Sequence, residues 1–199
     1  MKIPKTLFVS FPRTGHHYLA SLIRGYYGDE LKYCDPYTNP ERVKIANLTK
    51  CHDFKLDAKP YPSTIALTRG PLPSLMSYFE FGVNSGWFHD TNEKWEWFAK
   101  SKYLFYRQWM CKWQAIAYLN GFPFINYGKL IRSPAHTLMD VLHYFGEDPK
   151  WDDVMNAVSQ PVAAPTLGYY HRNKSTREIK EFKHYDRRFL QRIGLLTAK

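Results

Sequence analysis

The chain opens with an apolar run of strand length, Thr6-Leu7-Phe8-Val9-Ser10-Phe11, which Pro12-Arg13-Thr14-Gly15 interrupts. Beyond the break, Tyr18, Leu19, Leu22 and Ile23 recur at helical spacing, so the pattern predicts strand, loop and helix. A second strand fits Ile45 to Cys51. A third fits Ser63 to Thr68, stopped by Arg69-Gly70-Pro71, with a helix following from Leu72 to Phe81. Residues 82–91 read as an exposed loop with an aromatic tip. From Asn92 to Asn120 the aromatic and aliphatic residues Trp95, Phe98, Tyr103, Tyr106, Trp109, Trp113 and Ile116 recur mostly at three and four, which predicts one long helix ending at Asn120-Gly121. Phe122 to Tyr127 predicts a fourth strand and Pro134 to Tyr144 a helix; Pro149 and Trp151-Asp152-Asp153 open another short helix.

Strands alternating with helices predict an α/β fold with a central parallel sheet flanked by helices, because parallel neighbours need crossover connections. With 199 residues the chain is long enough for one substantial domain, read as spanning 1–199. No internal repeat appears, and Pro161 to Pro165 is the one linker-like stretch. Hydrophobic residues at 44% and charged residues at 23%, with six Trp, 15 Tyr and 13 Phe, exclude wholesale disorder.

Charge narrows the choice of partner. The 28 basic and 18 acidic residues leave +10, and residues 166–199 alone carry nine Lys or Arg against three Asp or Glu, so +6 lies in that last segment. Such a balance favours an anionic ligand. Cys34, Cys51 and Cys111 are widely spaced and fit free thiols in a reducing compartment better than a zinc site. No apolar run is long enough for a signal core or membrane span, so a cytoplasmic protein is expected.

The loop at 12–15 leads from a strand into a helix, where backbone N–H groups and the helix dipole favour a phosphate. Arg13 adds a charged fork. The phosphate-binding signature of nucleotide triphosphatases needs Gly at position 10 and Lys at 16, where this chain has Ser10 and His16. Instead, Phe11-Pro12-Arg13-Thr14-Gly15-His16-His17-Tyr18 resembles the 5′-phosphosulfate loop of the cytosolic-type sulfotransferases. Thr68-Arg69-Gly70-Pro71, with Ser77 eight residues after Arg69, is similar to that family's 3′-phosphate motif. Lys50-Cys51-His52 resembles its Lys-Thr-His, and Tyr127-Gly128-Lys129-Leu130 its Tyr-Glu-Asp-Leu. The resemblance spans roughly 6–145. Departures are Arg13 for the commoner Lys, His16-His17 for two Thr, and Gly128 for an acidic residue. The family's late Arg-Lys-Gly loop has Arg172 and Lys174 as its nearest counterparts.

The resemblance implies transfer of a sulfuryl group from 3′-phosphoadenosine 5′-phosphosulfate to an acceptor hydroxyl or amine, without a metal. His52 would be the general base, with Arg13 and Lys50 the cations at the leaving phosphate. Arg13, Thr14, Gly15, His16 and His17 would surround the 5′ end, Arg69, Ser77, Arg172 and Lys174 the 3′-phosphate, and Tyr18, where the family usually has Trp, and Tyr127 the adenine. Tyr18 and Tyr127 fit a core aromatic equally well. Tyr78, Phe79, Phe81, Trp87, Phe88 and His89 fit either an acceptor wall or core packing. The acceptor is expected to be a small molecule, glycan or lipid rather than nucleic acid. Two rival readings stand beside this one: a nucleotide-dependent kinase, disfavoured by the absent Gly-Lys-Ser/Thr, and a non-catalytic nucleic-acid or polyanion binder driven by the basic segment.

Overall fold

The computed structural model describes residues 3–160 and 179–197. Their packing divides them into two compact units. One holds the described residues up to Arg69 and those from Trp109 to the end of the sixth helix; the other holds Gly70–Gln108 and those from Ile179 onward.

The first unit is built on a five-stranded, wholly parallel sheet. Its strands are β1 (Thr6–Ser10), β2 (Tyr33–Cys34), β3 (Leu48–Cys51), β4 (Ser63–Thr68) and β5 (Phe124–Asn126), in the order β2-β3-β1-β4-β5. Every residue of β1 is buried, as expected for a parallel strand covered on both faces. Helices α1 (His16–Tyr27), α5 (Pro134–Tyr144) and α6 (Trp151–Ser159) pack their apolar residues against Phe8, Leu48, Ile65, Leu67 and Ile125 in a single cluster. The approach of α1 to α6 is close: a Cβ on Gly25 would stand 2.7 Å from the Ala157 carbonyl oxygen, which leaves room for glycine alone.

The short helix α4 (Tyr127–Arg132) was not predicted. Asn126 caps it, its side chain accepting the Gly128 N–H at 2.8 Å, so the chain turns helical where the sequence suggests the end of a strand. The second predicted strand is shorter than the apolar pattern at 45–51. The N–H groups of Ile45 and Ala46 both donate to Arg42 O, closing a turn and leaving Leu48–Cys51 for the sheet.

The second unit contains α2 (Pro71–Asn84), the first part of α3 (Asn92–Asn120) and α7 (Arg187–Arg192). Helix α2 runs three residues past its predicted end. Phe79 is fully buried and stacks on Phe88 with ring centroids 5.8 Å apart, while Trp95 and Phe98 close the cluster. Phe79 is therefore a core residue with Phe88 half-buried against it, and Trp87 and His89 are exposed. Pro161–Pro165, Arg172 and Lys174 lie outside the described residues. No helix among the described residues is long and apolar enough to cross a membrane.

Candidate functional site

Parallel register puts the carboxyl ends of all the strands along one edge. Val9 pairs with Cys51 and Ala66, and Thr68 with Asn126, so the segments beginning at Phe11, His52, Arg69 and Tyr127 leave the sheet side by side. In the order β2-β3-β1-β4-β5 the chain reverses direction across β1 and β4, and ligands of open α/β sheets bind at such a crevice.

The loop after β1 is held from within. Thr14 is fully buried, and its hydroxyl donates to Phe11 O at 2.8 Å and lies 3.3 Å from Leu67 O, so its side chain pins the loop. Arg13 adopts a left-handed backbone with φ 65°, a conformation costing a non-glycine residue about 1–2 kcal/mol. Gly15 follows at φ 91°. The first intrahelical donors of α1 are Tyr18 and Leu19 N–H, both to Gly15 O, so the N–H groups before them stand at the positive end of the helix dipole.

Two distant segments close on this loop. The Tyr127 ring lies so near Gly15 that a Cβ there would fall 2.4 Å from its Cδ2 and Cε2. The Arg69 guanidinium sits over the other motif's aromatic, 4.8 Å from the Tyr127 ring centroid, and its Nη1 is 3.4 Å from Arg13 O. Residues 13–15, 69 and 127 are thus brought together. Tyr18 is half-buried and packs against the core cluster. Ser77 is half-buried on α2, in the second unit.

His52 terminates β3 and keeps 8% of its surface open. Its Nδ1 lies 2.7 Å from Ser10 O; a carbonyl only accepts, so Nδ1 carries the proton and Nε2 the lone pair. Tyr37 stacks on the imidazole at 5.6 Å and 17°, and its hydroxyl accepts the His52 N–H at 3.1 Å. Phe54 approaches the same ring at 5.4 Å. Burial, reinforced by the charge of Lys50, lowers His52 to about 3.

His16 and His17, 3.8 Å apart, extend the imidazole group from the start of α1, with His16 5.3 Å from His52. Burial and then Lys50 pull His17 down to about 4, and burial with His17 holds His16 well below the ordinary histidine range. His16 Nε2 is sealed from solvent and has no partner among the described residues. Lys50 is committed to Asp35 at 2.7 Å, both largely buried; burial lowers the lysine while that carboxylate pulls it back.

Sequence reasoning missed Asp35, Tyr37 and the fixation of Asp53. The Asp53 side chain is wholly buried, with Lys112 Nζ at 2.7 Å and Trp113 Nε1 at 2.9 Å donating to Oδ2 and Ala58 N–H at 2.8 Å to Oδ1. A signal was present in Trp113, since a buried indole N–H needs an acceptor. The described residues contain no cluster of His, Cys, Asp or Glu able to hold a metal ion. No family model matches the sequence, and no curated protein matches it.

Proposed function

We propose that the chain is a sulfotransferase using 3′-phosphoadenosine 5′-phosphosulfate as donor. The observation that carries this reading is the convergence of the residues 13–15 loop, Arg69 and Tyr127 at the carboxyl edge of the sheet, with the neutral His52 imidazole next to the same loop. The order and spacing of the motifs resembling the family support it independently.

In this reading the N–H groups preceding α1, with Arg13, hold the 5′-phosphosulfate, and Arg69 holds the 3′-phosphate, a group that a guanidinium fork suits. The acceptor oxygen or nitrogen attacks sulfur in line and forms the new bond. The bond from sulfur to the bridging oxygen breaks, its electron pair stays on the phosphate, and the acceptor's proton passes to His52 Nε2. The Nδ1–H bond to Ser10 O supports this role, since it leaves Nε2 as the acceptor. An imidazole lowered to about 3 is a weak base, and the negative charge of a bound donor would raise it toward working pH. Lys50, paired with Asp35, contributes as part of an ion pair rather than as an isolated cation.

Thermal stabilisation tests the reading. Adenosine 3′,5′-bisphosphate should raise the melting temperature more than ATP or a single-stranded oligonucleotide, and labelled sulfate should move to some member of a panel of phenols, alcohols, glycans, amines and lipids. A larger shift with ATP would favour phosphoryl transfer, and a larger shift with the oligonucleotide a polyanion binder.

A further inference from the structure

Nothing in the proposed chemistry uses Asp53, although it follows the proposed base directly and is among the most firmly held residues of the first unit. Its carboxylate receives three donors, one of them an ammonium, and its side chain has no exposed surface. Its backbone is left-handed, with φ 48°, and Leu56 in the same loop is left-handed at φ 58°. The turn between them is closed by Leu56 N–H on Asp53 O at 3.0 Å, and Asp53 N–H donates to Cys51 Sγ at 3.3 Å. Lys112 also reaches Ala58 O at 2.7 Å, so one ammonium ties α3 to both ends of the turn.

A left-handed aspartate persists only where the surroundings hold it. Lys112 and Trp113 supply that hold, 59 and 60 positions away in the chain. What they fix is the direction in which the chain leaves β3, and with it the backbone that carries the His52 ring. The ring's own contacts, Nδ1–H to Ser10 O and the Tyr37 stack, depend on that direction.

We infer that Asp53, clamped by Lys112 and Trp113, is a positioning residue that keeps the His52 imidazole against Ser10 O, with its Nε2 lone pair directed away from the sheet. This rests on His52 being the base only for its effect on turnover; the orientation of the ring is testable without any reaction.

The variants are Asp53→Asn, which keeps the shape but removes the ion pair, and Trp113→Phe, which removes one donor from the carboxylate. The double variant Asp53→Asn/Lys112→Met removes the part-buried ammonium left without its carboxylate in the first. Imidazole ¹⁵N shifts of His52 report the tautomer. The wild type should show the Nδ1–H form, and Asp53→Asn a mixture in which the Nε2–H form is at least several-fold enriched. Trp113→Phe, a milder change, should move in the same direction if Asp53→Asn fails to fold, and the double variant should regain thermal stability without regaining the pure tautomer. On an alcohol acceptor, turnover of Asp53→Asn should fall tenfold or more while bisphosphate affinity stays within twofold. Wild-type His52 shifts in folded Asp53→Asn or Trp113→Phe would overturn the inference. The expected tautomer change in the variants, together with a wild type that transfers no sulfate, would leave it standing and overturn the proposed function instead.

Discussion

Gly15 is where the convergence of loop and strand is most exposed to a small perturbation. Alanine there meets two penalties that can be worked separately. The backbone at φ 91° lies where an L side chain is disfavoured by about 1–2 kcal/mol. The new Cβ would also stand 2.4 Å from two ring carbons of Tyr127, and relieving such overpacking costs about 1–3 kcal/mol. The ring is not free to swing aside without cost, because the Arg69 guanidinium lies over it at 4.8 Å. Gly15→Ala should therefore lose about 2–5 kcal/mol in urea denaturation and weaken bisphosphate binding. A double-mutant cycle with Tyr127→Ala divides the sum: with the ring gone the overpacking vanishes and the backbone penalty stays. The coupling should then be about 1–3 kcal/mol in favour of the double variant. Additive losses within about 0.5 kcal/mol would refute the close approach of Tyr127 to the loop.

Arg69→Ala should weaken adenosine 3′,5′-bisphosphate by about 1.5–3 kcal/mol and adenosine 5′-phosphate far less, measured by titration calorimetry, and equal losses would remove Arg69 from the 3′ site. His17 is lowered to about 4 in the folded chain against an ordinary 6.5, so its contribution is fully present above 6.5 and is lost as pH falls toward 4. Between pH 7 and 5 that loss is about 2 kcal/mol, and His17→Gln should remove about that much from the acid sensitivity measured by urea denaturation. His52→Ala should cut turnover on a weakly acidic alcohol by about 10² or more, with a smaller deficit on an acidic phenol and nearly intact bisphosphate binding. Equal deficits on the two acceptors, with a lowered melting temperature, would make His52 structural.

The elements legible in the sequence are those whose apolar pattern runs long enough to have a period. Ser63–Thr68 and Pro134–Tyr144 fall where the pattern puts them, and α3 begins and ends on the predicted Asn92 and Asn120. β2 has two residues and no pattern to read. α4 hides behind a strand because its start depends on what the Asn126 side chain does. The chemistry divides in the same way. Arg13, His52, Arg69 and Tyr127 are legible because each stands just past the end of a strand, and parallel register carries all such points to one edge. Asp35 with Lys50 and Asp53 with Lys112 are pairings across 15 and 59 positions, fixed by the packing of β2 beside β3 and of the last part of α3 against the loop after β3. No local spacing encodes them.

The departures from the resembling motif have a common electrostatic logic. Two imidazoles stand at 16 and 17 where the family commonly has hydroxyls, and burial together with Lys50 and Arg13 keeps both neutral. Net positive charge at the edge is therefore carried by Arg13 and Arg69, Lys50 being balanced by Asp35, while the imidazoles supply polarisable, neutral neighbours. This arrangement is costly. His16 Nε2 is sealed without a partner among the described residues, a desolvation penalty of about 1–3 kcal/mol. The three left-handed non-glycine residues among the described ones, Arg13, Asp53 and Leu56, all lie in the loops leaving β1 and β3, on either side of the same imidazole group. Strained backbone of this kind persists where the surroundings over-determine it, and a scaffold with no demand on those loops would relax them at the cost of a few substitutions. The gathering of these left-handed residues in the two loops that flank the imidazoles supports the proposed reading by an observation separate from motif spacing.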